Sequence, residues 1–115
     1  MDAIAKSRYQ RYGRRKVGQV LDEIRGKDVW TAQQMLTMVP RSAVVPVEKT
    51  VRSAAANLSV KLGKKVDLSK IWIKSAWADS GPMKHMKRVQ PGPQGRAMPF
   101  KRKVCHLTVI VSDIK

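Results

Sequence analysis

Cysteine, acidic residues and aromatic residues are all scarce in this chain of 115 residues: one Cys, eight Asp and Glu together, and 5% Phe, Trp and Tyr. Each shortage excludes something. The lone Cys105 rules out an internal disulfide and fits a reducing compartment. The acids, Asp2, Asp22, Glu23, Asp28, Glu48, Asp67, Asp79 and Asp113, are scattered, and no pair suggests general acid–base work. With only His85 and His106 beside that one cysteine, there is no ligand cluster for a metal, and no cofactor is expected. Cys105 and His106 are neighbours in a strand-like run and so face opposite ways, which argues against a Cys–His dyad. No Walker-type phosphate loop is present. No apolar run approaches the roughly 18 residues of a membrane span, and the start lacks a secretory core. The opening residues MDAIAKSRYQ are compatible with prior removal of a targeting peptide. Catalysis is therefore the weakest reading.

What is abundant is positive charge. Twenty-four Lys and Arg against eight acids leave +16, with a pI near 10.7. A domain this small would repel itself at low salt, so a standing polyanion, nucleic acid first, is the natural partner. No amphipathic helix pairs this charge with a bulky apolar face, so a membrane is not expected as partner. The length allows one domain, residues 1–115, and 43% apolar content allows a modest core. The charge is densest from Gly81 to His106, which holds Lys84, Lys87, Arg88, Arg96, Lys101, Arg102 and Lys103 and no acid. Strand-prone runs flank it, Ile71–Ile73 before and Leu107–Val111 after. The pattern predicts a long two-stranded arm over residues 79–106, with a Pro/Gly tip.

Residues 1–12 read as extended. Tyr9 and Tyr12, set among Arg8, Arg11 and Arg14, stack on bases, pack inward from an edge strand, or do both, since alternate strand residues face opposite ways. From Arg14 to Arg25, Val17, Val20, Leu21 and Ile24 recur at helical spacing, and Gly26 is placed to end the helix. Arg14, Arg15 and Lys16 sit at its N-terminus, where the helix dipole disfavours cations, so they read as phosphate-binding. Asp28 is placed to cap a second helix with Val29, Ala32, Met35, Leu36 and Val39 inward, and Pro40 ends it. Met35 and Met38 read as gap-filling core residues. Trp30 fits core or surface. A third helix runs from about Ser42 to Leu62 with a stripe of Val44, Val47, Val51, Ala54, Ala55, Leu58 and Leu62, leaving Lys49 and Arg52 outside. A strand is expected from Lys70 to Ala78. Another, Cys105–Ser112, turns Cys105, Leu107, Val109 and Val111 to one face.

Three segments together resemble one family, large-subunit ribosomal protein twenty-two in its bacterial and organellar form. They are Arg15-Lys16-Val17 with Leu21–Lys27; Val51-Arg52-Ser53-Ala54-Ala55-Ala56-Asn57; and Asp79–Pro82 with Met86-Lys87-Arg88, Gly95-Arg96-Ala97 and His106–Ser112. The resemblance runs in register from about Arg8 onward. It implies an α+β fold, three helices packed on a small three-stranded antiparallel sheet, with a long protruding β-hairpin. It also implies a structural constituent of the large ribosomal subunit that binds its RNA, supports assembly and lines the nascent-peptide exit tunnel. Partners would be large-subunit ribosomal RNA, neighbouring ribosomal proteins and, transiently, the nascent peptide, with no homo-oligomer.

On that reading the RNA-binding candidates are Arg8, Arg11, Arg14, Arg15, Lys16, Lys49, Arg52, Lys84, Lys87, Arg88, Arg96, Lys101, Arg102 and Lys103. The tunnel-facing tip would comprise Met86, Lys87, Arg88, Val89, Gln90, Pro91, Gly92 and Pro93. Several positions depart from the family pattern. Gly92 replaces a tip cation, about two extra residues fall near Met83 and Lys84, and Gly13 replaces a helix-capping Ser. Cys105-His106 looks more like plastid and cyanobacterial members, which makes the plastid stroma the first expected location and the bacterial cytoplasm the second. The alternative function is a free-standing basic β-ribbon that binds nucleic acid.

Overall fold

The structure, a computed structural model, describes residues 1–84 and 86–114. Its elements in chain order are β1 (Asp2–Gln10), α1 (Arg14–Ile24), α2 (Val29–Met38), α3 (Val44–Leu62), β2 (Trp72–Ser80), β3 (Lys87–Pro91), β4 (Ala97–Lys101) and β5 (Cys105–Ser112). β5 lies between β1 and β2 in an antiparallel sheet of order β1-β5-β2. α1 and α3 cover one face of this sheet, α2 packs on α1 and α3, and β3 and β4 form a separate two-stranded ribbon. This is the α+β architecture expected, with a hairpin projecting from it.

The apolar periodicities explain the body. In α1 the buried residues are Val17, Val20, Leu21 and Ile24, the expected stripe. Gly26 adopts the left-handed conformation (φ 77°) that ends the helix and directs the chain towards α2. There the chain meets β2: Gly26 N–H donates to the Ile73 carbonyl at 3.1 Å, and Ile73 N–H to the Lys27 carbonyl at 2.9 Å. Asp28 caps α2 by accepting from Thr31 N–H at 3.1 Å. Pro46 is the third residue of α3, within the first turn, where a missing N–H costs nothing. Cys105, Leu107, Val109 and Val111 face the helices at 0–1% exposure, and each large apolar side chain buried there contributes on the order of 1.5–3 kcal/mol.

Three expectations need correction. Met38 is 82% exposed rather than core, because α2 buries Val29, Ala32 and Leu36 and its last residue has rotated off that face; Met35 is half-buried. β2 starts at Trp72, two residues later than Lys70, because Asp67 accepts from Ser69 N–H and winds Leu68–Lys70 into a 3-10 turn. The arm is not one continuous ribbon. Pairing of β2 with β5 ends at Ser80 opposite Cys105, and that of β3 with β4 begins at Lys87 opposite Lys101. Between them Gly81 N–H donates to the Val104 carbonyl at 2.8 Å and Arg102 N–H to the Met86 carbonyl at 2.9 Å. Residues 82–84 therefore stand in a break opposite Lys103, where the sequence reading expects two extra residues. Of the histidines, His85 lies outside the described residues. Trp30, open between core and surface, is on the surface at 53% exposure.

The edges of the sheet are closed by side chains. From α3, Asn57 Nδ2 donates to the Ile4 carbonyl at 2.9 Å and Lys61 Nζ to the Asp2 carbonyl at 2.8 Å, occupying acceptors on the outer edge of β1. On β2, Arg25 Nε donates to the Ala76 carbonyl at 2.8 Å. Unpaired edges invite pairing with other chains, and these contacts reduce that exposure.

The Thr31 hydrogen bond to Asp28 holds its carboxyl below the usual carboxylate range. A group depressed in this way stabilises the fold fully above its ordinary titration range, and the effect is lost as pH falls through the lower folded-state value. Asp28→Ala is expected to cost about 1 kcal/mol at neutral pH, as for loss of an N-cap, with the difference from the parent shrinking on acidification. Urea denaturation at a series of pH values measures both.

Candidate nucleic-acid interface

The site is built where the arm leaves the body. β1 ends at Gln10, and Arg11, Tyr12 and Gly13 carry the chain into α1. Gly13 is the N-cap and supplies no side-chain hydrogen bond, so the end of α1 presents free backbone N–H groups next to Arg14, Arg15 and Lys16. Amides at a helix start attract anions. A Cβ on Gly13 would lie 3.6 Å from Lys103 Cβ, so the Lys103 stem rests against this turn. Two adjoining clefts, about 490 and 570 Å³, open here. Arg11, Lys16, Arg88, Lys101, Arg102 and Lys103 contribute to the first, and Arg14, Arg15, Lys16 and Lys103 to the second. Among the described residues no Asp or Glu lines either cleft.

The acids are used elsewhere. Among the described residues, Asp113 pairs with the N-terminal ammonium at 2.8 Å, Asp2 with Lys74 at 2.7 Å, Glu48 with Arg52 at 3.0 Å and Asp22 with Arg25. The Lys74 partner holds the Asp2 carboxyl below its usual range, and the terminal ammonium does the same for Asp113. None of these pairs involves a cleft cation. Like charges about 10 Å apart in water repel by only ~0.4 kcal/mol, but eight cations in adjoining clefts make many such pairs. The local potential therefore favours a bound polyanion over empty solvent.

The arm itself is cationic and open. Every residue of β3 and β4 is exposed. Its internal contacts are the ribbon hydrogen bonds and Arg102 over the Phe100 ring at 5.5 Å, a cation–π contact of about 0.5–1 kcal/mol at an exposed site. The turn comprises Gly92–Arg96, closed by Gly92 N–H donating to the Arg96 carbonyl at 2.6 Å, with Gln94 (φ 57°) and Gly95 (φ 72°) left-handed. It is shorter than the tip read from sequence: Lys87–Pro91 belong to β3 and Met86 to the ribbon base, leaving Gly92 and Pro93 in the turn. At Gly92 a Cβ would meet Met98 Cγ at 3.0 Å and the Arg96 carbonyl at 3.1 Å, so the backbone approach there is tight.

The fourteen cations named from sequence thus divide. Eight converge at the arm root: Arg11, Arg14, Arg15, Lys16, Arg88, Lys101, Arg102 and Lys103. Arg8 is exposed near the end of β1; Lys84 is exposed at the break, Lys87 on β3, and Arg96 at the turn. Lys49 and Arg52 lie on the outer face of α3 and line neither cleft, and Arg52 is engaged by Glu48. Sequence reading missed Gly13 as the floor under Lys103 and Phe100 as the ring under Arg102. A glycine directly ahead of a basic helix start was the available signal for the first. The two tyrosines divide as well: Tyr12 packs against the core, and Tyr9 is 65% exposed.

Cys105 is fully buried, and burial pushes its thiol up, which makes it inert as a nucleophile. His106 faces the other side of β5 and accepts a hydrogen bond at Nδ1 from Tyr9 N–H at 3.1 Å. Among the described residues no group of His, Cys, Asp and Glu could hold a metal, and no helix is long and apolar enough to cross a membrane.

Residues 5–112 match the family described as ribosomal protein L22p/L17e. The chain is 42% identical over 113 residues to the large ribosomal subunit protein uL22 of Endomicrobium trichonymphae, covering 98% of this chain and 93% of the relative. It is 44% identical over 111 residues to uL22 of Prochlorococcus marinus strain AS9601, covering 96% of this chain and 84% of the relative. Identity to uL22 of Clostridium tetani is 41% over 113 residues, covering 98% of each chain. These relatives, cyanobacterial and other bacterial, do not separate a plastid from a bacterial location. The chain belongs to the ribosomal protein L22p/L17e family.

Proposed function

We propose that this protein is a structural, non-catalytic constituent of the large ribosomal subunit that binds large-subunit RNA through the root and flanks of its arm. Family membership supports the ribosomal assignment over a free-standing DNA-binding ribbon. The observation that carries the RNA reading is the group of eight cations around Gly13 and Lys103, in clefts that no acid lines among the described residues. Arg8, Lys84, Lys87 and Arg96 extend the contact along the arm, and Lys49 and Arg52 offer a second patch on α3.

The mechanism is charge neutralisation combined with shape. Phosphates displace counterions at the root, and guanidinium groups hold them with paired hydrogen bonds. The long axis of the molecule, 63 Å against 26 and 17 Å, lets the arm reach RNA far from the body. Its radius of gyration, 17.2 Å, exceeds the roughly 13 Å of a compact chain of this length. On this reading the root and flanks, Arg88 among them, grip RNA, and the turn with the far end of β3, Val89 to Pro91, faces the nascent peptide in the exit tunnel. Small and apolar groups there, Val89, Pro91 and Gly92, would line a path without gripping its occupant. Other subunit proteins would be its neighbours, in the plastid stroma or a bacterial cytoplasm.

Two measurements check the reading. Replacing Arg14, Arg15 and Lys16 together with Gln should weaken RNA binding and flatten log K against log salt by about 0.7–0.9 for each phosphate left unneutralised. An unchanged slope contradicts phosphate binding at the helix start. A two-stranded ribbon is marginal alone in water, so hydrogen exchange on the RNA-free protein should find fast exchange over β3 and β4 and slow exchange in β5. Equal protection would contradict an arm ordered by its host.

A further inference from the structure

The face of the sheet turned away from the helices carries a second, separately built site. Its rows are Lys6, Thr108 and Trp77, then Tyr9, His106 and Asp79. β1 bulges here: Ser7 pairs with Leu107 and Gln10 with Cys105, so Arg8 and Tyr9 stand together against His106. Tyr9 takes φ 59°, a left-handed backbone that a tyrosine rarely adopts. Its N–H donates to His106 Nδ1 at 3.1 Å, and its ring meets the imidazole edge-on with centroids 4.9 Å apart. The far side of that imidazole is backed by Gly81, where a Cβ would lie 3.3 Å from His106 Cε1 and 2.9 Å from Val104 Cγ1. The strained bulge therefore holds an exposed phenol ring in a fixed pose, and backbone strain of this kind concentrates at functional positions.

Opposite the ring, the Trp77 indole N–H donates to Asp79 Oδ2 at 3.1 Å. This fixes the carboxylate and leaves its second oxygen without a partner among the described residues. The slot bounded by Lys6, Arg8, Tyr9, Asp79, His106 and Thr108 has a volume of about 220 Å³. That is below the roughly 300–1,000 Å³ of small-molecule pockets, and an aromatic wall with a polar edge suits a single planar ring. Lys6 and Arg8 supply charge for a phosphate, and Arg8 is three residues from Arg11 in the root cleft, so a strand held at the root can continue onto this face.

We propose that this slot binds one unpaired RNA base, stacked on Tyr9, with its amino edge on Asp79 and its phosphate on Lys6 and Arg8. A carboxylate only accepts hydrogen bonds: it takes a base's exocyclic amino group, whereas uracil's one edge donor, N3–H, lies between two carbonyl oxygens that repel it, so uracil is disfavoured. The inference rests on the RNA-binding reading and adds a base preference that phosphate contacts cannot supply.

Short unstructured oligo(C) and oligo(U) differ at this amino group at equal charge. Fluorescence titration of the full chain, with Trp30 and Trp72 changed to Phe so that Trp77 reports, should find oligo(C) bound several-fold more tightly. Asp79→Asn should remove the preference and leave the salt slope unchanged. Tyr9→Asn keeps a residue that tolerates positive φ and loses the ring; it should weaken oligo(C) by between about fivefold and a hundredfold, the range for one base–aromatic stack. Equal affinities for the two oligomers, or no effect of Tyr9→Asn, overturns the proposal while salt-dependent binding persists. Absence of salt-dependent binding to either oligomer overturns the RNA-binding reading along with it.

Discussion

Unbalanced positive charge at one place governs this molecule. The net charge is +16, and ion pairs on the body occupy half of the few acids, leaving the arm root with cations alone among the described residues. A sequence selected for the stability of the free protein would place acids at the start of α1, where the helix dipole favours them. This chain places Arg14, Arg15 and Lys16 there and brings Lys101, Arg102 and Lys103 against them. The body is a platform that carries this concentration of charge, and on the proposed reading the arm depends on the polyanion that neutralises it.

The core makes that arrangement possible at small size. β5 is the central strand, its inner face closed by the helices and its edges paired to β1 and β2. Because β1 and β2 both pair with β5, the end of β1 and the end of β2 emerge on the same side as the start of β5. That register delivers the start of α1 and the base of the arm to one place. The open face of the same sheet carries Tyr9, Trp77 and Asp79, so the proposed phosphate binding and the proposed base recognition share one scaffold.

Much of the body was legible in the sequence because its signals are local. The valine and leucine spacing of α1, Gly26 at its end, Asp28 as a cap and the alternation of Cys105–Val111 each need only a few neighbouring residues. What escaped depends on distant pairing. Lys103 against Gly13, and the pose of Tyr9 against His106, follow from the register of β1 on β5 and from the bulge between Ser7 and Gln10. The break in the arm is the opposite case. The departure expected near Met83 and Lys84 was placed from sequence, but the break opposite Lys103 needed the hydrogen bonds at Gly81 and Arg102. Met38 was misjudged because the face that α2 buries runs through Val29, Ala32 and Leu36, and its last residue points off that face.

The central claim is that RNA phosphates neutralise the arm root. The most direct measurement is a side-chain-resolution map of a large ribosomal subunit containing this chain. The account predicts phosphate oxygens within about 3–4 Å of most of Arg11, Arg14, Arg15, Lys16, Arg88, Lys101, Arg102 and Lys103, the range of direct ion pairs. A root facing solvent or protein carboxylates, with RNA elsewhere, would contradict it.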